Sequence, residues 1–148
     1  MDTRYDMLAH GVNVVCAQCE DRRGGLAVAW ATQTAVDRVL ICVGQQSWTR
    51  ELILTSGAFG LSLLADDQLD VARCFGTQSS RDVDKFEGLD WHTGDTGSPL
   101  LDDCIVALDC VVENSYDEGS TKLIVGQVVK AEYLKTAKTP LIYRQDDY

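Results

Sequence analysis

The sequence predicts a β-rich antiparallel fold, a closed or partly open barrel with two short helices inserted between strands. Three observations carry this. Short apolar runs of strand length recur along the chain and are joined by hairpin turns. Two segments between strands, SWTRELILTSG and DDQLDVARCFG, carry helix start and stop signals. No GxGxxG follows a strand, which argues against a parallel dinucleotide-binding sheet.

In chain order, residues 2–9 suit a short helix that stops near Gly11. GVNVVCAQC and LAVAWATQTAV flank the polar EDRRGG, a hairpin signal in which Gly24 and Gly25 supply the turn. RVLICVG is a short buried strand. SWTRELILTSG has Ser47 as N-cap, Leu52 and Ile53 on its inner face and Gly57 as stop. AFGLSLLA is another strand. It leads into DDQLDVARCFG, a helix with acids at its positive end and Gly76 at its close. Residues 77–88 read as a loop with one helical turn around Val83. LDWHTGDTGSPLL is a strand and turn, and residues 104–134 form a long hairpin. In its second arm Leu123, Val125, Val129 and Tyr133 share one face by period two, interrupted at Gln127.

At 148 residues the chain suits a single domain over 1–148, large enough to bury roughly two-thirds of its unfolded surface. Thirteen Lys plus Arg against 23 Asp plus Glu give a net charge of −10. Such a balance argues against nucleic acid or an anionic membrane as partner, because neither finds a basic stripe here. MDTRYDMLAHG lacks the basic and apolar regions of a signal peptide, and no apolar run reaches spanning length, so the expectation is a cytoplasmic protein. Reduced thiols follow, with the six cysteines acting mainly as small core residues. Cys16 and Cys19 form the only CxxC, but in a strand residues three apart face opposite sides, and no second pair completes a zinc site. No metal is expected.

Neither His10 nor His92 belongs to a Ser–His–Asp or Cys–His set, and His92 reads as an exposed turn residue. The hydroxyl and cationic residues are more informative. A phosphate is held by N–H donors at a helix start, short hydroxyls and one or two cations. GQQSWTREL offers Ser47 and Thr49, SSRDVDKF offers Ser79, Ser80, Arg81 and Lys85, and WATQT offers Thr32, Gln33 and Thr34. In so acidic a chain, Arg81 and Lys85 four residues apart are either a solvated charged loop or an anion site.

The ordered segments GVNVV, AWATQT, VGQQSWTRELI, SGAFGLSLL, VARCFGTQSSRDVDKFEGLDW, GDTGSPLLDDCIVALDC and LIVGQVV resemble the flavin reductase-like family of FMN-binding split barrels. The resemblance runs from about residue 8 to about residue 143. It implies a six-stranded antiparallel split β-barrel that forms a homodimer and binds FMN near the subunit interface. Carried over, Trp30, Ala31, Thr32, Gln33 and Thr34 line the flavin ring and ribityl chain. Ser47, Thr49 and Ser79 meet the phosphate, Arg81 and Lys85 neutralise it, and Phe86 closes the same motif. The implied function is an FMN-dependent oxidoreductase, with NADH, NADPH or a protein electron donor as the source of electrons and an unidentified acceptor. A non-enzymatic FMN-binding electron carrier is the alternative, and a barrel without its flavin a third reading. Two departures bear on the choice. Ala35, Arg38 and Val39 stand where the family commonly has a serine and then Pro-Pro, and Gly119-Ser120-Thr121 stands where nicotinamide-using members carry Gly-Asp-His.

Overall fold

The first hairpin turns earlier than its glycines suggest. In the computed structural model, which describes residues 7–44 and 47–148, β1 (Asn13–Cys19) and β2 (Arg22–Val28) are joined by Glu20-Asp21, with Glu20 at φ 58°. Gly24 and Gly25 lie inside β2, opposite Ala17 and Cys16. They are required there by close packing rather than by the turn. A Cβ on Gly24 would stand 3.0 Å from Thr49 Oγ1, and one on Gly25 would stand 2.7 Å from the Phe75 ring. These two neighbours belong to the two helices, α1 (Trp48–Ser56) and α2 (Leu69–Thr77), which both pack on this hairpin.

Local chemistry sets the helix ends as expected. The Ser47 side chain accepts from the Arg50 N–H at 3.1 Å, and Gly57 at φ 73° donates its N–H to the Ile53 carbonyl at 2.8 Å. Thr49, Leu52 and Ile53 are the buried face of α1. In α2, Ala72 and Phe75 are buried and the helix runs one residue past Gly76. The helix expected over residues 2–9 lies mostly outside the described residues, and Met7 and Leu8 form a turn and bend. Around Val83 a single turn forms, closed by the Val83 N–H on the Ser79 carbonyl at 3.2 Å.

The remaining strands are β3 (Ala31–Ala35), β4 (Arg38–Gly44), β5 (Ala58–Leu63), β6 (Trp91–Thr93), β7 (Pro99–Leu101), β8 (Val106–Glu118) and β9 (Thr121–Tyr133). Seven of them build one sheet in the order β2-β1-β5-β8-β9-β4-β3, one strand more than six, and every pairing is antiparallel. β6 and β7 form a separate ribbon. In β9 the fully buried side chain is Ile124, whereas Val129 and Tyr133 of the predicted face are exposed. The pleat therefore turns the alternate set of residues inward.

β1 is buried on both faces, which explains its unbroken apolar run. Val14 and Cys16 enter a cluster with Phe75, Phe86, Leu100 and Leu141, while Val15 and Ala17 enter a second with Ile41, Leu52, Phe59 and Ile124. Cys16 and Cys19 pack on opposite clusters, as strand geometry requires. Burial pushes the Cys16 thiol far above its ordinary pKa, which leaves it inert as a nucleophile. Among the described residues no helix is long and apolar enough to cross a membrane.

Candidate functional site

A large cleft, about 1080 Å³, opens where β2 passes into β3. Its floor is the apolar end of β2 up to Trp30, with Cys42 and Gly44 of β4 and Thr121 of β9 beside it. The opposite wall is the segment 143–148, which returns from β9 across the molecule. A bridge between Gly11 and Ile142 and the Tyr143 N–H on the His10 carbonyl (2.8 Å) fix the start of this segment. Its far end is held by Arg73 Nε donating to the Asp147 carbonyl at 2.7 Å, and by Tyr148 stacking on Tyr143 at 5.4 Å. Trp30 is 53% exposed, so its indole is a surface of the cleft rather than core packing. Burial raises the pKa of the Cys42 thiol on the same floor.

Ala31, Thr32, Gln33 and Thr34 follow Trp30 on β3, an edge strand paired only with β4, and they do not line this cleft. Gln33 turns its amide onto its own strand end, donating to the Ala35 carbonyl at 3.0 Å. Thr121, which marks one of the family departures, does lie on the cleft.

The SSRDVDKF loop turns its two cations in different directions. Arg81 points outward, 52% exposed, 5.2 Å from the Trp48 ring and 3.7 Å from the Glu51 carboxylate. Lys85 points inward and is 4% exposed, donating from Nζ to the carbonyls of Gly25 (2.8 Å) and Phe75 (2.9 Å). Burial lowers its pKa, against the smaller opposing effects of Cys74 and Cys16. The cause is the position of β2 at the sheet edge, which leaves main-chain groups without a strand partner. Ser80 fills that place as a strand would, accepting from the Gly25 N–H and donating to the Gly25 carbonyl, both at 3.1 Å. Lys85 adds the second carbonyl, at the last turn of α2. Phe86 is buried edge-to-face on Phe75 at 5.5 Å.

The other phosphate candidates divide in the same way. Ser47 uses its hydroxyl as the cap of α1, and Thr49 is buried beneath that helix against Gly24. Ser79 Oγ accepts from the Arg81 N–H at 3.2 Å. Arg81 nonetheless reaches α1 through Trp48, so the start of α1 and the 79–81 loop do meet. A smaller depression of about 320 Å³ lies along that loop, and Arg81, Lys85 and Phe86 all border it, with Arg23, Ser80 and the acids Asp21, Asp82 and Asp84.

His92 is not a turn residue. It sits on β6 with Nδ1 on Asp102 and Nε2 3.1 Å from Glu132. Burial works against its charge, but hydrogen bonds to Glu132 and Asp102 and their charges outweigh it and hold its pKa above 6.5. Asp109 is fully buried, accepting from the Thr96 hydroxyl and N–H at 2.5 and 3.1 Å. Sequence reasoning missed the 143–148 wall, because nothing local in LIYRQDDY marks a return across β2.

The flavin reductase like domain pattern matches residues 5–148. The chain belongs to that family. It is 32% identical over 111 residues to the reductase subunit HsaB of a flavin-dependent monooxygenase from Mycobacterium tuberculosis, covering 74% of this chain and 58% of that protein. The chain thus spans somewhat over half the length of that relative. It is 28% identical to the FMN reductase (NADH) RutF of Stutzerimonas stutzeri, over 95% of this chain and 81% of that one. The solved NADH:FAD oxidoreductase SgcE6 of Streptomyces globisporus superposes with a TM-score of 0.85 at 26% identity, covering 92% of this chain and 82% of that one.

Proposed function

We propose that the protein is a flavin reductase-like oxidoreductase, one FMN-binding domain across residues 1–148, with the flavin held in the large cleft. The observation that carries this is the cleft itself. Its volume of about 1080 Å³ is ample for a ligand of flavin size, typical ligand pockets being about 300–1,000 Å³. Its lining offers flat aromatic surfaces, Trp30 and the Tyr143–Tyr148 stack, which suit a planar ring, beside the polar Arg144–Asp147 segment. A bound flavin supplies the redox chemistry, accepting electrons from a donor and passing them on.

This chain's residues bind and orient. Trp30 and the β2 floor cover the ring and exclude water, while Ala31–Thr34 continue from Trp30 on the edge strand outside the cleft lining. Gly44 carries the cleft toward Ser47 and Thr49, where the positive end of α1 favours a phosphate, with Arg81 and Ser79 beside it. Lys85 and Phe86 act one step back, fixing the loop that presents Arg81. NADH or NADPH is the donor this reading favours; RutF and SgcE6 are named for NADH, and a ferric-chelate reductase of Archaeoglobus fulgidus, 30% identical over 88% of this chain, is named for NAD(P)H. FMN is the flavin, by analogy with RutF. A homodimer in the cytoplasm that passes electrons to a protein or small-molecule acceptor completes the reading, HsaB being named as a reductase subunit.

The test is spectroscopic. Purified protein incubated with FMN and desalted retains the visible flavin bands, and NADH or NADPH bleaches them. Bleaching by dithionite alone would identify an electron carrier, and failure to retain flavin would overturn the assignment.

A further inference from the structure

In a chain with 23 acidic and 13 basic side chains, basic groups readily find an acid. Arg38 meets Asp37 and Glu113, Lys135 meets Asp103, and Lys138 meets Asp67. Arg23 is near Asp84, and Arg81 near Glu51. Arg144, like Arg22, Arg50, Arg73, Lys85 and Lys130, forms no ion pair among the described residues, although Asp146 and Asp147 follow it closely in sequence; unlike those five it lines the large cleft.

The backbone explains why those two acids do not neutralise it. Arg144 is extended at φ −134°, ψ 123°, and a 3₁₀ turn over Gln145–Asp147 starts directly after it. The Asp147 N–H closes that turn on the Arg144 carbonyl at 3.0 Å, and Arg73 pins the Asp147 carbonyl from α2. Tyr143 and Tyr148 stack on either side of the turn, and Tyr148 lies beside Gly76. The segment is thus tied before and after Arg144, while Arg144 itself is exposed on the wall of the large cleft. Among the described residues its one basic neighbour in the lining is His10.

We propose that Arg144 is an anion-binding residue of this cleft, recognising the diphosphate of a dinucleotide. The inference rests on the flavin reading above and deepens it. The flavin's own phosphate is served by the start of α1 and by Arg81, which lines a different depression. A mononucleotide therefore leaves Arg144 without a function, whereas a diphosphate presents paired oxygens that match the forked donors of a guanidinium. Two ligands carry that chemistry: FAD in place of FMN, or NADH arriving over the ring.

The experiment separates these sources. Flavin-free wild type, Arg144→Gln and Arg144→Lys are compared for FMN and FAD affinity by fluorescence titration, and are then loaded with flavin. KM is then measured for NADH and for N-methyl dihydronicotinamide, which carries no phosphate. Loss of a charge-assisted hydrogen bond weakens a contact by about tenfold or more. A selective loss of FAD over FMN in Arg144→Gln assigns the diphosphate to the flavin. A KM increase for NADH well beyond that for the phosphate-free donor assigns it to the donor. In either case Arg144→Lys recovers part of the effect. Equal losses with every ligand would mean that Arg144 only holds the segment in place, and no change with any ligand would remove its role altogether. Both results overturn the inference while leaving the flavin reading of the cleft standing. A wild-type protein that takes up neither flavin overturns the functional reading as well.

Discussion

Lys85→Met tests whether the lysine of the DKF motif fastens the fold or meets the ligand. Its ammonium is 4% exposed and holds two carbonyls at 2.8 and 2.9 Å. Methionine keeps the chain length and removes both donors. The Gly25 carbonyl retains the Ser80 hydroxyl, so the larger penalty falls on Phe75 at the end of α2. Hydrogen bonds from a charged donor contribute about 1.5–3 kcal/mol each, offset in part by relief from burying an ammonium. A net loss of about 2–4 kcal/mol follows, or roughly 5–15 °C in Tm for a domain of this size. Arg81→Met is the contrast. Its 3.7 Å pair with Glu51 is exposed on both sides, and such pairs contribute at most about 1 kcal/mol. Urea or thermal unfolding of flavin-free protein reads the stability, and fluorescence titration reads FMN affinity. The expected result is a crossing pattern: Lys85→Met loses stability, and Arg81→Met loses affinity. A Lys85→Met protein as stable as wild type but unable to hold FMN would refute the fastening role and return the ammonium to the ligand.

The His92 clamp gives a pH dependence. Its folded pKa lies above the ordinary 6.5, so its stabilisation is full below that value and is lost as pH rises through the folded-state pKa. Urea midpoints measured across that window should fall with pH in wild type, and His92→Gln should flatten the slope; an unchanged slope would place the titration elsewhere. Trp30→Ala should weaken FMN binding by tenfold or so with little change in Tm, because the indole is half exposed; a large Tm loss with intact affinity would make it a core residue. Cys16→Ala with Cys19→Ala should leave flavin uptake and donor oxidation intact, and folded protein without activity would revive a redox role for this pair.

Elements fixed by local pattern were legible. The caps of α1, the long β8–β9 hairpin and the buried run of β1 each follow from neighbours in sequence. Misreadings arose where a distant element decides. Gly24 and Gly25 look like turn residues until Thr49 and Phe75 are seen to press on β2. His92 looks exposed until Asp102 and Glu132, ten and forty residues away, close on its ring. The cleft wall at 143–148 has no local signature, since its position depends on Gly11, His10 and Arg73.

The SSRDVDKF loop shows why residue type and spacing alone do not identify an anion site. Hydroxyls and cations four residues apart satisfy a phosphate, but the same groups satisfy the unpaired main chain of an edge strand, because both present oxygen acceptors. What decides is which acceptors lie within reach. Gly25 and Phe75 offer theirs to Ser80 and Lys85, and both are consumed there. Arg81 lies between these two anchors in sequence and faces the other way, across Trp48 toward the start of α1. Fastening the loop on both sides limits the freedom Arg81 would otherwise lose on binding an anion, which is how, under the proposed reading, the inward cation increases the effectiveness of the outward one.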